Sequence, residues 1–595
     1  MSITAALLML AGATPAVDYR ARLPEDEVMY FMLPDRFENG DPSNDRGGLK
    51  GDRLKTGYDP ASKAFYNGGD LKGLIARLDY IQGMGVTAIW VGPIFKNKPV
   101  QGAAGEESAG YHGYWVTDFT TVDPHLGTDA DFAALVAAAH ARGMKIYMDI
   151  IANHTADVIA YRECPTSACP YRSRADYPYQ RKGGVGGATI NRGFAGDQVQ
   201  TADNFARLRE PDYAYTPYVP KGERLLKVPA WLNDIRLYHN RGNTTFTNES
   251  STMGDFVGLD DVMTEHPRVI AGMIDIFGSW IDCYGIDGFR IDTAKHVNPQ
   301  FWQAFVPAML ARAKAKGISN FHVFGEVASG DFDPALQAQY TRLDKLPSVL
   351  DFAFRSAVLA TVAGNAGTDT LEKLFAADVL YEGGEATARQ LPTFTGNHDF
   401  GRFAFFARKA FPKADDDEIQ KRVNLAHAMM FMLRGVPVIY SGDEQGFAGD
   451  GIDQDARETL FASKVGSYND NKLVGTTATT AQANFVTTQP IYRALSDMAR
   501  VRAAEPALRR GKQFLRARTD KPGLFAISRL LDGREVLVAF NTSTEPLDAN
   551  VEVDVGSLTF TPLHGTCAPA ASAPGSVRVK IAPLDYVVCA AGTAQ

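Results

Sequence analysis

Four stretches of the sequence end in side chains that could carry out nucleophilic or acid–base chemistry. Each begins as an apolar run typical of a buried β-strand and finishes in polar or charged residues. The stretches are KIYMDIIANH, GFRIDTAKH, HVFGEV and LPTFTGNHD, which supply Asp149, Asn153, His154, Arg290, Asp292, Lys295, His296, Glu326, His398 and Asp399. Three of the carboxylates, Asp292, Glu326 and Asp399, could serve as a nucleophile, a proton donor and a group that stabilises positive charge. Glycoside cleavage needs those three functions, because its transition state resembles an oxocarbenium ion.

The pair Arg290 and Asp292 lies in the second of these stretches. Because side chains alternate along a strand, both point to one face, whereas Phe289 and Ile291 point to the other. A guanidinium beside a carboxylate favours its ionised form, so we expect Arg290 to keep Asp292 charged as a nucleophile. Glu326 has the opposite requirement. A proton donor near neutral pH needs a raised pKa, which burial or the other carboxylates would supply.

Each of these residues, taken singly, also has an ordinary structural interpretation. An Arg and an Asp on one strand are more often a structural ion pair, and a single His beside a strand is more often a scaffold residue. The joint pattern favours a catalytic site, provided that the fold brings the four stretches together.

The order of the secondary structure predicts that convergence. Strand-like and helix-like runs alternate between residues 28 and 505, and the strand candidates are VMYFML, TAIWVG, KIYMDII, GFRID, HVFGEV, SVLDF, LPTFTG and VPVIYSG. One amphipathic helix is predicted over residues 70–85, and another is predicted to be capped by Thr128. We therefore predict an α/β fold with a (β/α)8 TIM barrel rather than a doubly wound sheet. In such a barrel the carboxyl ends of the strands form the mouth of the active site.

Two regions depart from this alternation of strands and helices. Residues 155–262 are rich in Gly, Tyr, Pro and Asn and follow the third strand directly, as an inserted subdomain or functional lid does. Beyond about residue 510 the pattern changes to alternating strands, with a Leu-Asp-Gly turn at 531–533 that is typical of a hairpin. The predicted organisation is a barrel at 18–154 and 263–509, an insertion at 155–262 that we call subdomain B, and a C-terminal antiparallel β-sandwich at 510–595.

Composition and charge restrict the class of function. Hydrophobic residues make up 45% and charged residues 22% of the 595 residues, as in a globular protein with a buried core. The formal net charge of -8 argues against a nucleic acid partner, because phosphate binding needs a basic surface. After the N-terminus no apolar run reaches the length of a membrane-spanning helix. The sequence leaves the oligomeric state open.

The N-terminus resembles a secretory signal. Residues 3–10 are apolar and precede small residues where a signal peptidase could cut, near Ala13 or Ala16, but the positively charged start is missing. We interpret residues 1–17 as a signal peptide, and the alternative is a disordered or buried N-terminus.

The cysteines agree with export. Cys164 and Cys169 lie close in sequence, as do Cys567 and Cys589, so two disulfides are conceivable, and they would fit a periplasmic or secreted protein. Reduced thiols in a cytoplasmic enzyme are the alternative. Cys283 is left unpaired in an apolar helical run, where we expect it to pack in the interior.

The four stretches also carry a family resemblance. DIIANH, GFRIDTAKH, GEV and FTGNHD resemble, in order and spacing, the four sequence blocks of the α-amylase family of glycoside hydrolases. SAGYHGYW at 108–115 and GLDDVMTEHP at 258–267 resemble two further stretches of that family, so the resemblance extends to about residue 505. The family also has an excursion after the third strand and a C-terminal β-sandwich.

The resemblance implies a role for each matching residue. It makes Asp292 the nucleophile that forms a covalent glycosyl-enzyme, Glu326 the general acid and then base, and Asp399 the stabiliser of the transition state, with retention of the α-anomer. Further implied contacts with the sugar at the cleaved bond are hydrogen bonds from His154, Arg290 and His398, and stacking of Tyr111 beneath the ring with His112 nearby. Lys295 and His296 are implied to face the leaving group.

Calcium is the cofactor that the resemblance implies. Asn153, Asp261 and the main-chain carbonyl of His296 match the family's site between the barrel and the excursion, and all offer hard oxygen ligands. A second candidate is ENGDPSND, where Asn39, Asp41, Asn44 and Asp45 could join Gly68 and Asp70, as in cyclodextrin-forming relatives. The alternative for this stretch is a polar turn without a metal.

The expected activity is α-amylase-type hydrolysis of α-1,4-glucosidic bonds in soluble starch, maltodextrins or maltooligosaccharides. One alternative is an α-glucan glycosyltransferase, of the 4-α-glucanotransferase or cyclodextrin-forming type, in which a sugar hydroxyl takes the place of water. Another alternative is a non-catalytic relative that uses the barrel for binding, although such proteins usually lose the acidic residues that this chain keeps.

Overall fold

The computed structural model describes residues 18–165 and 169–593, so the predicted signal peptide at 1–17 lies outside the described residues. All eight predicted barrel strands are present. They are β1 (Met29–Met32), β2 (Ala88–Val91), β3 (Lys145–Ile151), β4 (Gly288–Asp292), β5 (His322–Gly325), β6 (Ser348–Val349), β7 (Pro392–Thr393) and β8 (Val436–Tyr440).

The eight strands form a parallel, nearly closed barrel in which neighbours in sequence are neighbours in space. β1 pairs with both β2 and β8, and the sheet ends at β6 on one side and β7 on the other. At the remaining gap the Asp351 N–H donates to the Pro392 carbonyl at 2.9 Å. Aromatic side chains such as Phe31, Trp90 and Phe324 fill the interior. The predicted (β/α)8 barrel is confirmed.

The main helices lie between these strands and after them. Their bounds are Leu71–Ala76, Leu78–Gly83, Asp129–Ala141, Pro267–Tyr284, Pro299–Ala315, Pro334–Arg342, Phe352–Val362, Asp369–Ala376, Phe403–Ala410, Asp416–Met432 and Pro490–Ala504. Thr128 caps its helix as predicted, since its hydroxyl accepts from the Asp131 N–H at 3.2 Å while Asp131 Oδ2 accepts from the Thr128 N–H at 2.9 Å. The helix predicted over 70–85 is instead two helices, because the backbone turns at Arg77 (φ -110, ψ 11).

The cysteine predictions are only partly correct. Cys164 bonds to Cys169, and Cys567 bonds to Cys589. The prediction for Cys283 is wrong, because Cys283 is exposed on helix Pro267–Tyr284. The buried stripe of that helix runs along another face, through Val269, Met273, Ile276, Phe277, Trp280 and Ile281.

Subdomain B is mostly irregular and its two ends meet beside the barrel. His154–Thr155 pairs antiparallel with Asp260–Asp261, and Ala160–Tyr161 pairs with Pro217–Tyr218. The first of these pairs joins the residue after β3 to the stretch that leads into helix Pro267–Tyr284. The excursion is therefore fixed at its base, next to the carboxyl end of the barrel.

The C-terminal strands are antiparallel, as predicted. They are β9 (Lys512–Ala517), β10 (Leu524–Leu531), β11 (Arg534–Asn541), β12 (Leu547–Glu552), β13 (Ser557–His564), β14 (Ser576–Ile581) and β15 (Asp585–Thr593). A five-stranded sheet has the order β9-β10-β11-β15-β13, and β12 pairs with β14, which fits a β-sandwich. Asp532 (φ 49) and Gly533 (φ 80) form the predicted hairpin turn with positive φ at both central residues. The domain boundaries themselves stay predictions.

None of the helices in the described parts of the chain combines the length and the apolarity needed to cross a membrane.

Candidate active site

A cavity of about 620 Å³ opens at the carboxyl ends of the barrel strands, beside subdomain B. Its wall brings together eight of the ten predicted catalytic and sugar-binding residues, namely Tyr111, His112, His154, Asp292, Lys295, His296, Glu326 and Asp399. Arg290 and His398 do not line this cavity. Both are fully buried beneath it and contact the carboxylates instead, so their predicted contact with a sugar stays a prediction.

Arg290 is bound to three carboxylates at once. Its Nη1 donates to Asp149 Oδ1 and to Asp292 Oδ1, both at 2.8 Å, and its Nη2 lies 2.9 Å from Glu326 Oε2. The strand register explains this arrangement, because Arg290 on β4 lies opposite Asp149 on β3. We call Arg290, Asp149, Asp292 and Glu326 the Arg290 cluster.

The Arg290 cluster has one positive charge for three buried carboxylates. Burial raises the pKa of Asp292 and the pKa of Glu326 to about 7, and the pKa of Asp149 to about 6, while Arg290 opposes each rise. The raised pKa expected for Glu326 is present. The expected effect of Arg290 is present, since the guanidinium acts to lower the pKa of Asp292, but burial outweighs it and the pKa of Asp292 is raised overall. A cluster with this charge balance retains a proton near neutral pH.

Asp399 is held by a second arginine, Arg457, which was not among the residues predicted from the sequence. Arg457 Nη2 donates to Asp399 Oδ1 at 2.8 Å and lies 2.5 Å from Asp453 Oδ1. The same guanidinium donates to the His398 carbonyl at 3.0 Å and to the Tyr111 hydroxyl at 3.1 Å. We call Arg457, Asp399 and Asp453 the Arg457 cluster.

Arg457 could have been found from its place in the chain. It follows β8 in the stretch GDGIDQDARETLF, and loops after barrel strands carry active-site residues. Tyr114 was also missed, although it lies in the SAGYHGYW stretch. Its hydroxyl donates to Asp149 Oδ2 at 3.2 Å and lies 2.9 Å from His398 Nε2, so it connects the Arg290 cluster to the histidine whose carbonyl accepts from Arg457.

Burial also keeps the histidines at the site neutral. Burial lowers the pKa of His154 to about 3, and it lowers the pKa of His398 well below its ordinary value. His154 lines the cavity, and its Nε2 is buried without a partner among the described residues. A sugar hydroxyl would satisfy that nitrogen, as the predicted role of His154 requires.

The remaining predicted sugar-binding residues of the cavity wall make contacts with their own neighbours. The Arg36 guanidinium covers the Tyr111 ring at 3.8 Å from its centroid, and His112 Nδ1 accepts from the Tyr114 N–H at 3.1 Å. Lys295 Nζ donates to the Ala328 carbonyl at 2.8 Å.

The first predicted calcium site contains oxygens that accept no hydrogen bond from the described residues. Asn153 and Asp261 are almost fully buried, yet no described residue donates to Asn153 Oδ1, to Asp261 Oδ1 or to the His296 carbonyl. The other Asp261 oxygen, Oδ2, is 2.6 Å from His239 Nδ1. An amide, a carboxylate and a main-chain carbonyl that lack donors are suitable ligands for a hard cation, so these residues fit calcium.

At the second predicted calcium site, only some of the predicted ligands are available to bind a cation. Asn39 Oδ1 and Asn44 Oδ1 are buried without partners among the described residues, and Gly68 lies against Asn39 and Asp45 so closely that a Cβ there would be 2.7 Å from Asn39 Nδ2. These four residues fit a cation. Asp41 is instead paired with Lys72 at 2.6 Å.

Asp70 of the second site also has other partners. Its Oδ1 accepts from the Gly73 N–H at 2.7 Å, which caps helix Leu71–Ala76, and its Oδ2 accepts from two further main-chain N–H groups. The described residues contain no group of three or more His, Cys, Asp or Glu side chains arranged for a metal ion. Each candidate calcium site would therefore combine one carboxylate with amide or main-chain oxygens.

Comparison with known proteins agrees with this geometry. A family profile described as "Alpha amylase, catalytic domain" matches residues 31–522. The chain belongs to the α-amylase family. The family resemblance found in the sequence is therefore confirmed, and the family is one of glycoside hydrolases.

Individual members of the family are similar over most of this chain. An α-amylase from Streptomyces lividans is 46% identical over 569 residues, which are 94% of this chain but 60% of that protein. The chain thus spans about 60% of the length of this relative. The solved structure of the Geobacillus thermoleovorans α-amylase with acarbose has a TM-score of 0.67 at 25% identity and covers 96% of this chain and 100% of the other. CldA, a three-domain cyclomaltodextrin glucanotransferase, has a TM-score of 0.70 at 25% identity, with coverage of 96% and 99%.

Proposed function

We propose that this α-amylase-family protein hydrolyses α-1,4-glucosidic bonds in soluble starch, maltodextrins or maltooligosaccharides, with retention of configuration. One observation carries the proposal: Arg290 contacts Asp292 and Glu326 through its two terminal nitrogens, so the two carboxyl groups are adjacent. Retaining glycosidases need such adjacent carboxyl groups, about 5–5.5 Å apart, whereas inverting enzymes need a wider gap for water.

The proposed reaction is a double displacement. Asp292 attacks the anomeric carbon while Glu326 gives its proton to the glycosidic oxygen, which leaves with the electron pair of the broken bond. Glu326, now ionised, then removes a proton from water as the water oxygen displaces Asp292. Asp399 lines the same cavity and stabilises the positive charge that develops on the sugar in both steps.

A glycosyltransferase is the second candidate, and the similarity to CldA favours its consideration. In that reaction a sugar hydroxyl takes the place of water in the second step. Incubation with maltoheptaose separates the two candidates, because hydrolysis yields glucose and short maltodextrins while transfer yields longer or cyclic glucans. Absence of any new glucan product would contradict both.

Calcium is proposed as a structural cofactor at both sites described above. At the first site, Asn153, Asp261 and the His296 carbonyl would join the barrel to subdomain B, and at the second, Asn39, Asn44, Asp45 and Gly68 would hold the loop after β1. The bound ion would supply positive charge to oxygens that otherwise lack donors, and it would take no part in bond cleavage. A chelator should therefore lower the melting temperature, and an unchanged melting temperature would contradict the proposal.

A periplasmic or secreted location is proposed on the strength of the two disulfides. Such bonds persist in oxidising compartments and are rare in the cytosol. Fractionation of cells that express the full chain tests this location, and recovery in the cytosol with free thiols would contradict it.

A further inference from the structure

Thr293, which directly follows Asp292, has an unusual backbone conformation. Its φ of 47° and ψ of 35° lie in the left-handed region, which β-branched residues rarely adopt. Such a conformation costs free energy and persists only where the surrounding structure enforces it, often at functional sites. Thr293 lies on the wall of the main cavity and is 7% exposed.

The contacts of Thr293 are made by its main chain rather than its side chain. The N–H donates to Glu326 Oε2 at 3.1 Å, and the carbonyl accepts from the His296 N–H at 2.9 Å at the start of the short helix Ala294–His296. The side-chain hydroxyl is buried and has no partner among the described residues. The main chain of Thr293, and not its side chain, therefore holds Glu326 and begins the short helix.

The two oxygens of Glu326 have different surroundings as a result. Oε2 receives the Thr293 N–H and lies 2.9 Å from Arg290 Nη2. Oε1 makes no hydrogen bond to any described residue. Because N–H donors and a guanidinium favour negative charge, a proton on this carboxyl group belongs on Oε1.

We propose that Thr293 is a positioning residue whose main-chain N–H, together with Arg290, holds Oε2 of Glu326 so that Oε1 carries the proton to the leaving group. The inference rests on the proposed hydrolase function. In the first step the Oε1–H bond breaks as the glycosidic oxygen gains that proton and the electron pair of its bond to the anomeric carbon. The negative charge left on Glu326 is then stabilised at Oε2 by the Thr293 N–H and Arg290.

The test removes the N–H and leaves the side chain in place. Incorporation of the α-hydroxy acid analogue of threonine at position 293 replaces the amide by an ester. Turnover is measured with maltopentaose, whose leaving group needs a proton, and with α-maltosyl fluoride, whose fluoride leaves with little acid assistance. We expect kcat for maltopentaose to fall about 10- to 100-fold, with little change in KM, and kcat for the fluoride to fall less than about threefold.

Two controls separate this role from general damage. An ester at the exposed Gly330, whose N–H makes no hydrogen bond to a described residue, should leave both rates unchanged. Thr293→Gly keeps the N–H and adopts positive φ without strain, so the ratio of the two rates should equal that of the wild type.

The outcomes distinguish this inference from the function on which it rests. Equal losses on both substrates in the Thr293 ester variant, or no loss on maltopentaose, would overturn the role of Thr293 and leave the hydrolase proposal intact. A wild-type protein that cleaves neither substrate would overturn the proposed function, and the role of Thr293 with it.

Discussion

The Arg290 cluster and the Arg457 cluster, both at the main cavity, hold their carboxylates in opposite ways. In the Arg290 cluster one guanidinium faces three carboxylates and every member is buried. In the Arg457 cluster one guanidinium faces two carboxylates, and the side chains of Asp399 and Asp453 are 35% and 60% exposed. Water can solvate the excess negative charge of the Arg457 cluster but not that of the Arg290 cluster. Burial, more than pairing with an arginine, therefore sets the pKa of the proposed acid, Glu326, and of the proposed nucleophile, Asp292.

The largest expected effect comes from removing a reacting carboxylate of the Arg290 cluster. Asp292→Ala and Glu326→Gln should each lower kcat on maltoheptaose by more than about 10⁴-fold, because each removes a group that forms or protonates a bond. The melting temperature should stay the same or rise, since each substitution removes one carboxyl group from a buried cluster that has three of them for one guanidinium. A variant with a rate within tenfold of the wild type would refute its assigned role.

Loss of the guanidinium of the Arg290 cluster should be the most destabilising change. Arg290→Met leaves three buried carboxylates without a counter-ion, so we expect the free energy of unfolding to fall by about 3–5 kcal/mol. Urea unfolding measures this loss. A stability equal to that of the wild type would mean that the buried carboxylates do not need Arg290 as a counter-ion.

Arg457→Met is the matched change in the Arg457 cluster. Asp399 would lose its 2.8 Å partner but could still be hydrated, so the stability loss should stay below that of Arg290→Met, at about 1–2 kcal/mol. We expect kcat to fall about 10- to 100-fold, because Asp399 is no longer held in one orientation. A larger stability loss than that of Arg290→Met would reverse the comparison.

The smallest expected effect is a shift in the pH profile. Turnover needs Glu326 protonated, and because burial raises the pKa of Glu326 to about 7, kcat/KM should fall as the pH rises above about 7. Turnover also needs Asp292 ionised, and the charge of Asp149 raises the pKa of Asp292. Asp149→Asn removes that charge and should move the acid limb of the profile to lower pH. Movement of that limb to higher pH would contradict the assigned electrostatics.

Much of the barrel and of its acidic residues could be predicted from sequence. Asp292 and Glu326 stand at the ends of β4 and β5, and the period of apolar residues is enough to place both at one mouth. Arg457 was missed because it lies in an irregular loop, where no periodic pattern indicates which side chain turns inwards. The left-handed turn at Thr293 was likewise unpredictable, since threonine itself disfavours it.

The features that the sequence left unpredicted have a common physical origin. The pKa of Asp292 depends on how much protein surrounds it, and pairing with Arg290 was only one part of that environment. Cys283 was placed in the core because its helix is apolar overall, but only the three-dimensional packing decides which face of that helix meets solvent. Local sequence gives the neighbours along the chain, whereas burial is set by residues far away in sequence.

The most direct test of the proposed double displacement is to identify the residue that becomes covalently attached to the sugar. Incubation with 5-fluoro-α-glucosyl fluoride slows the second displacement, so the glycosyl-enzyme can be digested and analysed by mass spectrometry. We expect one fluoroglucosyl group on the peptide that contains Asp292. A group on the peptide with Asp399, or hydrolysis with inversion of the anomeric configuration, would contradict it.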